Sequence, residues 1–332
     1  LNITRLPRSV QDLKYWKASE YRSFLLYFGA PVLHDILDKE RFSHYLLLVN
    51  SMHILLKFGS TPDDINRAEI MLTNFCESFA VLYDDRFMRL NVHQLLHLPD
   101  SVRTLGPLYT HSCFSFEDKN GVLLKMIRGT QNIDNQIVTG VSFIQKLPEL
   151  KEHCILRNSK CEEIYNSIES VTLLKRNHCI QEGIYVLGAV KEKVLSLKEQ
   201  NALEKYFGYA LTQNQFKTFT RIEFQSHIIY GQNYSRMTKR DNSTIEYTSE
   251  KHVNNRFGWV QFFIFYENKT LAFVQQLECQ QFNAKACILS VSSKDEMEVI
   301  RIDKIVSNCM FVSHDSDRKG FVCRFPNRLE SD

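Results

Sequence analysis

From Leu13 to about Gln145 apolar residues recur every three to four positions, and this spacing predicts helices. The clearest case opens at Thr61-Pro62-Asp63-Asp64. Thr61 can cap, Pro62 suits a first helical position, and the aspartates favour the positive end of the helix dipole. Behind them Ile65, Ala68, Leu72, Phe75, Phe79 and Leu82 lie on one stripe, which is expected to be buried. Residues 45–58 (YLLLVNSMHILLKF) form the longest apolar stretch, interrupted by Asn50, Ser51 and His53. A bilayer crossing needs about 20 such residues, so this stretch predicts a buried helix and no membrane partner.

From residue 151 to 205 the charges are mixed, with two helical patterns around a strand candidate at 184–190 (IYVLGAV). Beyond Phe216 the pattern changes to β-branched and aromatic runs of strand length, at 222–230, 244–247, 259–266, 270–275, 286–291, 299–305 and 309–312. Turn-forming clusters such as Arg240-Asp241-Asn242-Ser243 and Glu267-Asn268-Lys269 separate them. The expected class is α+β: a helical segment over 1–145, a mixed helical connector over 146–215, and a small β barrel or sandwich over 216–332. Its core candidates are Ile222, Val260, Phe262, Ile264, Phe273, Ile288, Ile300, Ile302, Phe311 and Val322, with carboxylates and histidines left mainly at turn-like positions.

Composition narrows this picture. At 44% hydrophobic and 24% charged residues the 332-residue chain is a globular protein of about two domains, not a disordered or collagen-like one. A net charge of +3 gives no overall basic signal, so any nucleic-acid contact must be a local patch. The nine cysteines are odd in number and nowhere form CxxC. That spacing argues against a disulfide framework and for a reducing compartment, cytoplasm or nucleus. A start at Leu1 without a signal pattern reads as a piece of a longer, non-secreted protein, which makes the Asn242-Ser243-Thr244 sequon a chance match.

Two places carry candidate chemistry. In NVHQLLHLP, His93 and His97 are four apart and share a helix face, the spacing of a two-histidine metal site or of two surface histidines. Gln94 stands where a zinc peptidase would need its glutamate base. In SCFSFEDKNGVLL, Glu117 opens a helical pattern that Gly129 can stop. It can complement the helix dipole or ligate magnesium, with Lys119, Lys125 and Arg128 offering charge to a phosphate backbone.

Three ordered blocks resemble one family: WKASEYRSFLLYFGAPVL (16–33), NVHQLLHLPDSVRTLGPL (91–108) and SCFSFEDKNG (112–121). Over about residues 6–140 they are similar to the C-terminal part of CACTA (En/Spm)-type DNA transposases. The resemblance implies the end of an RNase H-like DDE core with a helical insertion, in which two aspartates and a later glutamate hold two Mg2+ or Mn2+ ions. It makes Glu117 the third catalytic carboxylate. It also makes His93 and His97 the histidine half of a structural Zn2+ element whose other half is a CxxC. This chain has no CxxC and no strand-borne aspartate pair before residue 90; Asp84 and Asp85 fall in a turn. The missing catalytic part is therefore expected upstream.

YSRMTKRDNSTIEY (234–247), FGWVQFF (257–263) and RFPNRLESD (324–332) resemble, more loosely, the β-rich domain that trails such cores. There Arg236, Lys239 and Arg240 are candidate DNA contacts. The implied function is the C-terminal portion of a transposase acting on transposon ends and target DNA in the nucleus, inert as this chain alone. From another class, a transposon-derived remnant would act as a non-catalytic DNA- or protein-interaction module. A third reading is an unrelated helical metallohydrolase built on His93 and His97.

Overall fold

Thr61 Oγ1 accepts a hydrogen bond from the Asp64 amide at 3.2 Å and the Asp64 carboxylate accepts from the Thr61 amide at 3.4 Å, so the longest N-terminal helix starts where its sequence dictates. The computed structural model describes residues 7–154, 156, 159–169, 176–181, 183–225, 227–234, 242–249, 254–279, 287–314 and 316–327. The architecture is α+β, a helical part followed by a closed six-stranded barrel with extra strands. The chain forms two compact units, 1–110 with 176–332, and 111–175.

The first unit begins with helices α1 (Ala18–Ser23) and α2 (Gly29–Leu33), joined by a wide π turn at Phe24–Phe28. Helix α3 (Lys39–Leu55) takes up most of the apolar run and buries Val49, Ile54 and Leu55. Helix α4 (Pro62–Tyr83) buries Ile65, Ala68, Leu72 and Phe75 of the expected stripe, with Phe79 and Leu82 half-buried at its end. Short helices α5 (Leu90–Gln94) and α6 (Leu98–Leu105) follow, and Leu95, Leu98 and Val102 pack on α3 and α4.

The π turn ties this part together. Three successive carbonyls of the turn each accept a side-chain donor: Leu25 from Tyr45 Oη at 3.4 Å, Leu26 from His53 Nε2 at 2.9 Å, and Tyr27 from Cys323 Sγ at 3.3 Å. Tyr45 comes this close because Gly29 has no side chain; a Cβ there would lie 2.1 Å from the Tyr45 hydroxyl. Upstream, Glu20 is fully buried and accepts from the Arg8 guanidinium and from the Arg8 and Lys17 amides. The Arg8 hydrogen bond holds its carboxyl well below the usual carboxylate range.

The second unit contains α7 (Phe114–Met126), α8 (Ile133–Cys154) and α9 (Lys160–Glu169). Gly140 of α8 admits Met126, whose Sδ would be 2.7 Å from a Cβ at that position. Gln136 clamps the connecting loop, accepting from the Arg128 amide at 2.7 Å and donating to the Gln131 carbonyl at 2.7 Å.

The strands belong to the first unit: β1 (Arg176–Gln181), β2 (Ile184–Leu187), β3 (Lys191–Val194), β4 (Gln215–Phe219), β5 (Arg221–Phe224), β6 (His227–Tyr230), β7 (Thr244–Tyr247), β8 (Arg256–Tyr266), β9 (Lys269–Cys279), β10 (Ile288–Arg301), β11 (Ile305–His314) and β12 (Ser316–Arg324). The barrel runs β8-β7-β11-β12-β10-β9 and closes by the β8–β9 pairing, with β4 and β3 extending from β8. Strands β1-β2-β5-β6 form a separate antiparallel sheet. The β8–β9 turn uses Glu267 and Asn268, both at positive φ (49° and 57°), which matches the twist of a two-residue hairpin. Helix α10 (Leu197–Phe207), capped by Ser196, packs Ala202 and Leu203 against Phe262, Phe273 and Val299.

Eight of the ten core candidates are fully buried, and Ile288 and Phe311 pack as half-buried neighbours of the core. Two strand expectations change. Residues 222–230 fall in a hairpin, β5 and β6, instead of one strand. Residues 299–301 end β10, while 302–304 form a 3-10 turn before β11. β10 carries a register shift between Ser293 and Met297, where the polar run SSKDE breaks the two-residue alternation. The expectation that carboxylates sit mainly in turns also fails. Glu246 is buried on β7, where Arg324 donates to both its oxygens at 3.1 and 2.8 Å. Glu298 on β10 accepts from Tyr247, Ser249 and Gln276.

The barrel meets the helices through Cys323 and half-buried Met310 and Phe325, which pack on Leu26, Tyr27 and Leu56. Asn327 Nδ2 donates to the Leu56 carbonyl at 3.1 Å in the same buried contact.

Burial pushes the His53 imidazole down to about 4, with the Arg22 charge adding to the effect, so the folded chain holds it neutral. An unfolded histidine titrates near 6.5, so stability from this site is complete above that pH and drains away as pH falls from about 6.5 to about 4. The loss should reach about 3 kcal/mol. Urea unfolding across this range should show it, and H53Q, which removes the titration, should flatten it; equal pH slopes in both proteins would refute this role.

Candidate functional site

The arm carrying the two histidines is shaped by what precedes it. Helix α4 ends at Asp84, which has φ 96° and whose carboxylate accepts from the Arg86 amide at 2.9 Å and pairs with the Arg86 guanidinium. Asp84 and Asp85 therefore build the turn, as expected from the sequence. The chain re-enters helix at Leu90, tightens into a 3-10 turn at Leu95–His97, and continues as α6. Pro99 explains the tightening, because its ring cannot sit over the carbonyl four residues back in regular α geometry. Cys76 Sγ donates to the Val92 carbonyl at 3.3 Å, and Arg103 pairs with Glu69 and Asp100. With Leu95, Leu98 and Val102 turned to the core, His93 and His97 are left on the exposed side.

Their rings lie together, centres 5.1 Å apart and planes at 81°. Two imidazoles on one tetrahedral zinc, with Zn–N bonds of about 2 Å, hold their centres about 5 Å apart. The ring separation is therefore that of two zinc ligands and equally that of an edge-to-face ring contact. The pair does not make a full set: among the described residues no three His, Cys, Asp or Glu side chains converge as metal ligands.

Glu117 lies in the other unit, on the first turn of α7, exposed. Its amide donates to the Cys113 carbonyl at 3.0 Å, an ordinary helical bond. Lys119, Lys125 and Arg128 are exposed too. At 100° per residue Lys119 lies on the side of α7 opposite Glu117, and Arg128 lies past the helix end, where its amide is held by Gln136. These four side chains are not gathered into one cluster. A two-metal centre needs several carboxylates around both ions, and Glu117 offers one. Arg236, Lys239 and Arg240 lie outside the described residues.

A further grouping has no counterpart among the residues singled out from the sequence. The Arg221 guanidinium lies 4.6 Å from the centre of the Tyr234 ring, and Tyr230 stacks on Tyr234 at 5.4 Å and 15°. The available signal was Tyr230-x3-Tyr234 directly before the basic run 235–240 (SRMTKR). The residue that completes the grouping, Arg221, arrives only through the β5–β6 pairing.

No family model matches the chain, and no curated protein or solved structure matches it either.

On the zinc reading, the histidine pair should bind the ion in solution. Dye-competition titration of the full chain should give one site that H93A and H97A each weaken by about tenfold or more. Zinc uptake unchanged in H93A/H97A would show that this pair is an ordinary helix face.

Proposed function

We propose that the chain is the C-terminal portion of a transposon-encoded DDE transposase, a nuclear, DNA-binding enzyme of the RNase H-like class. In the complete protein the activity is metal-dependent DNA cleavage followed by strand transfer. The observation that carries this reading is the pairing of His93 and His97 at a separation that suits zinc, on an exposed face where the core makes no use of them. The family resemblance makes these residues the histidine half of a structural zinc element, completed by an upstream CxxC. Bound zinc would cross-link that upstream part to the α5–α6 arm and would do no chemistry on the substrate.

Glu117 is the third catalytic carboxylate on this reading, set by α7 on an exposed face. One carboxylate does not hold the two ions that phosphoryl transfer uses, so the described residues do not fit a complete Mg2+ or Mn2+ centre. Their contribution is positional: α7 presents Glu117 to partners supplied from elsewhere in the complete protein.

The non-catalytic module remains the second reading, favoured by the apolar surface of the second unit. Phe116, Val138 and Phe143 there are 67%, 63% and 64% exposed, and exposed apolar side chains of this size are available to a protein partner. Activity separates the two. The purified chain should neither cut nor join transposon-end DNA in magnesium or manganese, whereas the product of the longer reading frame should do both and lose them in E117Q. A longer product that is inert, or whose cleavage survives E117Q, would leave the module.

A further inference from the structure

We infer that the face of the β1-β2-β5-β6 sheet turned away from the core binds single-stranded nucleic acid, through a stack formed by Arg221, Tyr234 and Tyr230. The pairing register defines this face. Ile184, Val186, Ile222 and Ile229 point to one side and are buried in the core shared with the barrel. Arg221 and Tyr230, directly opposite each other on β5 and β6, point to the other side. Tyr234 follows four residues after Tyr230, and its ring contacts both the Tyr230 ring and the Arg221 guanidinium. All three side chains are half-buried, so each retains surface that a ligand can reach.

The state of Arg221 is what points to a ligand. Its Nε is shielded from solvent and has no hydrogen-bond partner among the described residues, so the guanidinium is left short of acceptors. The guanidinium lies over Gly188, just past the end of β2, which at φ 94° carries no side chain; a Cβ there would come within 3.1 Å of Arg221 Nη2. The fold thus keeps open a cradle that places a planar cation against an aromatic ring. Glu223, two residues along the same face, is itself buried, so the accessible charge of this stretch is the guanidinium.

Single strands suit this surface chemically. Unpaired bases expose faces that stack on tyrosine and guanidinium planes, and the phosphate between two bases offers acceptors to the part of the Arg221 guanidinium that stays exposed. A duplex hides those faces in its own stack. Four-stranded antiparallel sheets that read RNA use aromatic side chains on one sheet face in the same way. The inference does not depend on the transposase reading: it concerns neither the histidine pair nor Glu117, and it can hold for an enzyme fragment or for a module.

The test uses the full chain and fluorescence anisotropy with labelled strands of about 16 nucleotides, oligothymidine, oligouridine and a duplex of mixed sequence, at low salt. Both single strands are expected to bind more tightly than the duplex, and the ratio between them tells whether DNA or RNA is the preferred source. The pair Y230L/Y234L should weaken single-strand binding by about tenfold or more, while Y230F/Y234F, which keeps the rings, should retain it. R221Q should lower affinity and reduce the salt slope by about one. Crosslinking wild-type protein to a 5-bromouridine strand gives a readout independent of variant folding, and the crosslink should map to the peptide containing Tyr230 and Tyr234. Duplex binding equal to single-strand binding, unchanged affinity in a folded Y230L/Y234L protein, or crosslinks confined to other peptides would each overturn the proposal. These readouts are separate from zinc uptake and DNA cleavage, so this inference and the proposed function can fail independently.

Discussion

Three consecutive backbone carbonyls, those of Leu25, Leu26 and Tyr27, tie the π turn to α3 and to β12. A carbonyl inside a regular helix already accepts its helical amide, and a wide π turn presents its oxygens differently to neighbours. Here the neighbours are Tyr45 and His53 on α3 and Cys323 on β12, so one turn of five residues joins two helical layers to the barrel. Burial of Leu26, Tyr27 and Leu56 against Cys323 surrounds these bonds with apolar groups and excludes competing water. The α3–α4 pair, and with it the arm carrying His93 and His97, is positioned on this foundation.

Much of this was legible from residue order because local chemistry and burial agree. Thr61-Pro62-Asp63-Asp64 starts α4 by capping rules alone, and the stripe from Ile65 to Phe75 meets the core it predicts. The strand at 244–247 coincides with β7, and 259–266 and 270–275 lie inside β8 and β9. Pattern failed where the geometry is not periodic. The bulge in β10 conceals a 14-residue strand behind a polar run, and β12 opens with Ser316-Asp317-Arg318-Lys319, which has no strand texture. The π turn was invisible for a related reason: nothing in FLLYF distinguishes five residues of wide helix from α-helix.

The candidate sites show the same division between local and long-range information. His93 and His97 are four residues apart, so sequence could place them on one face, and their rings lie 5.1 Å apart there. Glu117 and the cations proposed near it depended on arrangement around a helix, which leaves Lys119 on the opposite side. Arg221 and Tyr230 became neighbours only through strand pairing, and Glu246 and Arg324, 78 residues apart, only through barrel closure. Buried ion pairs of that kind are expensive to assemble and strongly destabilising to break, which makes them better markers of register than of chemistry.

On the function proposed, the chain carries one half of a site whose other half lies upstream. Sequencing the transcript on the 5′ side of the Leu1 codon tests it most directly. The proposed function predicts an uninterrupted frame encoding two aspartates on strand-like segments and a CxxC, the residues that would complete the metal centre around Glu117 and the zinc element of His93 and His97. A frame that opens at or just before Leu1, or an upstream extension without those residues, would contradict it.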